Sequence, residues 1–147
     1  MLDRKQFLSL AGIMPLVAAG GAQAMAPPAL DMFCTLFYRQ KQVRAAFERY
    51  VAADYIQHSN GMAQGREAAI KVLEPMFARP EFLINPVSTI NQGALSIVIL
   101  DVRVGTGIRA AVMDIFRWQD GLIREHWDLK QELTADQAAT YFDRLRP

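Results

Sequence analysis

AAVMDIFRWQDGLIREHWDLKQ, Ala110 to Gln131, is the stretch whose reading decides the fold. Two arms of alternating pattern flank Asp120-Gly121, a pair whose backbone readily takes positive φ, so the stretch reads as a β-hairpin. Side chains on a strand alternate between faces. A pairing shift of one residue therefore sends a whole set to the other side of the sheet. Two registers compete. A two-residue Asp-Gly turn pairs Ile115 with His126 and Met113 with Asp128, and leaves Asp114 on the face opposite His126. A three-residue loop, Gln119-Asp120-Gly121 with Gly121 as the left-handed bulge residue, pairs Asp114 with His126. The second is favoured, because it gathers Asp114, Phe116, His126 and Asp128 on one surface. The competing reading leaves these polar groups on a solvated outer face.

Upstream of the hairpin the hydrophobic period is two from Phe82 to Asn91 and from Leu95 to Val104, which predicts two further strands. Asn91-Gln92-Gly93 and Gly105-Thr106-Gly107 supply the turns, so four strands pairing in sequence is the economical topology. Before Pro80 the period is helical. Leu30, Phe33 and Phe37, then Val43, Phe47, Tyr50 and Val51, predict helices over residues 29–39 and 42–53, with a phase slip at the polar stretch Arg39 to Gln42. Tyr55 to His58 reads as a short extended segment ending in the turn Ser59-Asn60-Gly61. Ile70, Leu73 and Phe77 mark a helix over residues 66–78, in which Pro75 predicts a kink or an early end. Thr134 is placed to cap a last helix reaching Leu145. Helices followed by an antiparallel sheet make an α+β layer fold, and a curved sheet covered by helices leaves a cone-shaped cavity, the default ligand site.

At the N-terminus, Arg4-Lys5 precede an apolar run from Phe7 to Ala19, and Ala22-Gln23-Ala24 has the small-x-small form of a signal peptidase site. Residues 1–24 therefore read as an export signal, RKQFL resembling a twin-arginine motif with Lys5 in the second position. A lone membrane anchor is the alternative, but the run is shorter than the roughly 20 residues that span a bilayer, so no membrane association is expected after cleavage. Residues 25–147 form one domain, with a periplasmic or secreted location. With 16 Lys+Arg against 15 Asp+Glu and no basic run in this part, nucleic acid is an unfavourable partner. The single cysteine, Cys34, lies among Phe33, Leu36 and Phe37 and reads as a small buried residue.

The chain has two histidines, His58 and His126, each on an extended segment beside aromatics. An imidazole beside a carboxylate is the usual arrangement for general acid-base work near neutral pH. There is no Gly-rich phosphate loop before a helix and no Cys or His cluster at zinc spacing, so neither a cofactor nor a metal is expected. Ser59 adjoins His58, but neighbours on an extended chain point opposite ways, which argues against a serine nucleophile activated by that base. Tyr55, Phe77, Phe116 and Trp118 are expected to wall the pocket and to suit an apolar or aromatic ligand.

YIQHSNG at Tyr55 to Gly61 and MDIFRWQDGLIREHWDLKQ at Met113 to Gln131 resemble the SnoaL-like proteins of the nuclear transport factor 2-like superfamily, over about Leu30 to Leu133. The resemblance implies a cone-shaped α+β barrel, a pocket for small organic molecules, and dimers through the outer sheet. It also implies polyketide cyclase, isomerase or dehydratase chemistry. It places His58 as the proton-abstracting base and Asp114 as a hydrogen-bonding acid for an oxyanion. Two departures are the Ser59-Asn60 order after His58 and the absence of histidine from the strand Leu95 to Val104.

The first functional expectation is an exported, cofactor-independent acid-base enzyme acting on a small carbonyl compound. His58 and Asp128 would exchange protons, while Asp114 and His126 polarise an oxygen. Its rival is a binding protein holding an apolar ligand in the same pocket. A third reading, a docking module, needs an apolar outer face, for which Val98, Leu100, Met113 and Ile115 are candidates. Export itself has a direct test. Intact-mass measurement of protein recovered from the periplasm should find Met1 to Ala24 missing, and a mature form retaining Met1 would count against cleavage.

Overall fold

A computed structural model describes residues 28–146; the expected export signal, residues 1–24, lies outside them. Two helical pieces start the fold. α1 (Pro28–Cys34) runs directly into a π-helical turn (Thr35–Arg39), and α2 (Val43–Tyr50) follows after a break. The phase slip has a physical form here. Gln40 N–H donates to Thr35 O at 2.9 Å, a five-residue step that widens the turn, and Lys41 takes φ 56° to reverse the chain. The wider turn lets two consecutive residues, Phe37 and Tyr38, both face the core.

α2 stops at Tyr50, three residues short of the expected end, because Val51 already takes extended φ/ψ as the first residue of β1 (Val51–Gln57). α3 (Arg66–Phe77) continues through Pro75 almost to the expected end. Four strands follow: β2 (Phe82–Gln92), β3 (Leu95–Val104), β4 (Ile108–Gln119) and β5 (Leu122–Glu132). They pair antiparallel in sequence, as their turns require, and β1 adds parallel to β5, giving the order β1-β5-β4-β3-β2. The sheet is mixed, curved and open, so the cone is closed by helices rather than by strands. The three N-terminal helical elements cover its inner face, burying Phe33, Phe37, Phe47, Ile70 and Phe77 against Val98, Leu100 and Phe116. No described helix is long and apolar enough to cross a membrane.

The hairpin register combines features of both expected registers. Gln119 pairs with Leu122 across a two-residue turn in which Asp120 (φ 53°) and Gly121 (φ 77°) both take positive φ. Beyond the turn Trp118 pairs with Ile123 but Arg117 pairs with Glu125, so Arg124 is an extra residue on β5. The bulge restores the parity that the short turn would lose. Asp114 faces Asp128 across the strands, and Phe116 faces His126. The expected three-residue loop is thus absent, while the shared face it was meant to produce is present.

The last helix, α4 (Ala135–Thr140), is shorter than expected and begins with a reciprocal capping box between Thr134 and Gln137. Ala138 and Phe142 bury against the outer face of the sheet, where Arg109 stands 5.3 Å above the Phe142 ring. Arg109 is held by Asp101, only 2% exposed, through bonds of 2.9 and 2.8 Å, and Arg103 adds a third at 3.1 Å. Burial opposes the charge of Asp101. The hydrogen bonds from the two guanidinium groups outweigh it and hold the carboxyl below its usual range. A depressed folded-state pKa contributes stability that is complete above the unfolded value, about 3.9, and is lost as pH falls through the lower folded value. Asp101→Asn should therefore cost about 1–3 kcal/mol at pH 7 in urea denaturation, and that difference should shrink below about pH 4. A variant equal to wild type at pH 7 would remove this ion pair from the account of how the C-terminal segment is held.

Candidate functional site

Between the helices and the inner face of the sheet lies a cavity of about 340 Å³. Its walls are aromatic and aliphatic, with Phe37, Phe47, Phe77, Phe82 and Phe116 among them, and its polar groups cluster where β1, β4 and β5 meet. Tyr38, Tyr55, Gln57, Asp114, His126 and Asp128 supply those groups.

Asp114 and His126 are diagonal neighbours on the same face, and His126 Nε2 stands 3.4 Å from Asp114 Oδ1. Both side chains are 12% exposed. That distance is long for a hydrogen bond, and Nε2 is buried with no hydrogen-bond partner. The other carboxylate oxygen, Oδ2, accepts from Tyr38 Oη at 2.6 Å. His126 is stacked on Phe116 at 5.0 Å between ring centroids, and its Nδ1 is 2.9 Å from Gln57 Oε1. Gln57 Nε2 in turn donates to Tyr55 Oη at 3.0 Å. The result is one polar chain, Tyr38, Asp114, His126, Gln57 and Tyr55, along the cavity wall, hydrogen-bonded at every link but the one between Asp114 and His126. Burial raises the phenol of Tyr38 well above its ordinary value, and the charge of Asp114 raises it further. Burial likewise raises Tyr55, with Asp114 and Asp128 adding to the shift, so both phenols remain neutral donors. Asp128 and Lys130 line the same cavity but are exposed, which puts them at its opening. Among the described residues no three His, Cys, Asp or Glu side chains gather as a metal ion would require.

Two expected site residues lie elsewhere. His58 is on the outer face of the sheet, where its ring stacks on Trp127 at 4.4 Å and its Nε2 is 2.9 Å from Glu125 Oε2. Strand alternation is the reason. Tyr55 and Gln57 are buried on the inner side while Ile56 is 46% exposed, and a residue three beyond Tyr55 must point away from it. Trp118 faces inward but beyond the cavity, buried in the core with its indole N–H donating to Ser96 Oγ at 3.0 Å. Tyr55, Phe77 and Phe116 do line the cavity. Tyr38 and Gln57 were missed by sequence reasoning. The phase slip after Phe37 was a signal for Tyr38, and the two-residue spacing from Tyr55 was one for Gln57.

Helices laid over a curved sheet around an apolar, polar-tipped cavity define a small-molecule site of the nuclear transport factor 2-like kind. The SnoaL-like domain profile matches residues 32–126, and the chain belongs to that family. Solved structures share the fold at low identity. An NTF2-like protein of unknown function from Mesorhizobium loti is 16% identical with a TM-score of 0.62, over 71% of this chain and 88% of that one. A proposed polyketide cyclase from Sinorhizobium meliloti is 17% identical with a TM-score of 0.59, over 70% and 94%. A proposed ketosteroid isomerase from Kribbella flavida is 14% identical with a TM-score of 0.57, over 73% and 81%. No curated protein matches the chain.

Proposed function

We propose that this SnoaL-like protein is an exported acid-base enzyme acting on a small, largely apolar carbonyl compound, in an aldol-cyclase, isomerase or dehydratase type of reaction. The observation that carries the reading is the buried, unpartnered His126 Nε2 facing Asp114 Oδ1 at 3.4 Å. With Nδ1 directed at Gln57, a proton between Nε2 and Oδ1 makes an imidazolium and a carboxylate; without it, two acceptors confront each other. In the protonated arrangement His126 polarises the carbonyl oxygen of the ligand. Asp114 takes the proton from the adjacent carbon, the C–H pair becomes the enolate C=C, and the oxygen carries the charge toward Nε2–H. Reprotonation at carbon, or attack of the enolate carbon on a second carbonyl, completes isomerisation or aldol closure. The long 3.4 Å contact favours this division of labour, because neither group is tied up by a good bond to the other. Tyr38 orients Asp114, and Asp128 at the opening exchanges protons with water.

The placement of like charges supports the same reading. Asp114 and Asp128 sit directly opposite on adjacent strands, an unfavourable pair that folding alone gives no reason to keep. The relatives described as a polyketide cyclase and a ketosteroid isomerase are consistent with it. Small enolisable ketones incubated in D₂O should exchange their α-hydrogens, followed by NMR. Asp114→Asn and His126→Gln should slow exchange by about 10²–10⁴-fold, whereas His58→Ala, outside the cavity, should stay within about tenfold of wild type. Ligand binding without exchange would leave a binding protein, and loss of exchange in His58→Ala would overturn the assignment of the pair.

A homodimer through the outer face belongs to the same proposal. Ile90, Ile97, Ile115 and Trp127 form one cross-strand row there, with Ile99, Met113 and Leu129 in the next. Ile90 is 52% and Leu129 61% exposed. Val98 and Leu100, expected on this face, instead point inward, since β3 pairs Val98 with Asp114. Sedimentation should find a dimer that Leu129→Lys converts to a folded monomer; a monomeric wild type at high concentration would remove the dimer.

A further inference from the structure

We infer that Gln57 is a positioning residue: through one amide it sets the hydrogen-bond direction of both His126 and Tyr55. The inference rests on the proposed role of His126 for its catalytic meaning, but its geometry stands without that role. The backbone N–H of Ser59 donates to the Gln57 amide at 3.0 Å. A backbone N–H can only donate, so the amide atom it meets must be the oxygen, and the amide has a single orientation. That oxygen has a second lone pair, which faces His126 Nδ1 at 2.9 Å. Only a protonated Nδ1 makes a bond there. Neutral His126 therefore carries its hydrogen on Nδ1 and turns the bare Nε2 toward Asp114.

The other end of the amide acts on Tyr55. With the oxygen committed, Nε2 of Gln57 donates to Tyr55 Oη at 3.0 Å, and Tyr55 is the acceptor in that bond. Its own hydroxyl hydrogen stays available to a ligand oxygen in the cavity, which Tyr55 lines. The backbone around Gln57 is fixed as well. Gln64 clamps it from both sides, its Oε1 accepting from Gln57 N–H at 3.0 Å and its Nε2 donating to Gln57 O at 2.6 Å. A glutamine reaching inward, locked at its backbone and at its amide, thus dictates which atoms of two neighbours are donors and which are acceptors. A glutamine kept only for packing would impose no such order.

The chain has only two histidines, so the imidazole nitrogens are readily assigned by NMR in ¹⁵N-labelled protein, with His58→Gln identifying the second ring. In wild-type protein titrated until His126 is neutral, the hydrogen should reside on Nδ1. Gln57→Met, close in shape but without the acceptor, should shift His126 toward the Nε2–H form. Gln57→Glu, which keeps an acceptor at the same place, should restore Nδ1–H. Gln57→Asn, too short to reach the ring, should behave as the methionine variant does and serves if that variant does not fold. A wild-type hydrogen on Nε2, or an Nδ1–H form unchanged in the methionine and asparagine variants, overturns the inference. None of these readings uses turnover, so failure of the proposed reaction would leave this test intact.

Discussion

One extra residue in β5, Arg124, sets which side chains meet in this protein. The tight Asp120-Gly121 turn starts the hairpin in a register that would separate Asp114 from His126, and the bulge changes parity after two pairs. Everything nearer the sheet centre then inherits the corrected face: Phe116 opposite His126, Asp114 opposite Asp128, Ile115 opposite Trp127 on the other side. Arg124 itself meets Asp54 of β1 at 2.6 Å. Asp54 is exposed, so this ion pair adds little energy. What enforces the parity is burial, since Ile123 and Phe116 have no alternative place in the core.

The cavity depends on a second irregularity, the π-helical turn. A regular helix would aim Phe37 and Tyr38 about 100° apart. The wider turn instead buries both, placing the Tyr38 hydroxyl on Asp114. A buried carboxylate needs such partners, and here it has one strong donor and one distant imidazole. The polar chain from Tyr38 to Tyr55 is therefore satisfied except at His126 Nε2, which faces Asp114 Oδ1 without a hydrogen bond. Ser59 Oγ, on the loop that borders the same space, is likewise buried and unpaired.

The two faces of the sheet carry different chemistry on alternate residues of the same strands. On the outside, His58 and Arg117 share Glu125, and the Arg117 guanidinium lies 5.7 Å from the Trp127 ring. Further along, the Asp101 and Arg109 pair fixes the C-terminal segment over the sheet, leaving the rows around Ile97 and Met113 uncovered. The histidine that looked catalytic belongs to this outer surface.

The sequence by itself determined the order and type of the elements, the sequential pairing of four strands, the aromatic wall, and the two registers between which the common face of Asp114, His126 and Asp128 had to be decided. Periodicity carries that information, because burial on one side of a strand or helix is written into spacing. It also held the means to exclude His58, since Tyr55 and a residue three further on cannot share a strand face. Only the tertiary structure decided the bulge at Arg124, the parallel docking of β1 on β5, and the placing of Tyr38 and Gln57 on the polar chain. These rest on contacts between residues up to 76 positions apart, such as Tyr38 with Asp114, whose energies outweigh the local preference of a regular helix or an unbroken ladder.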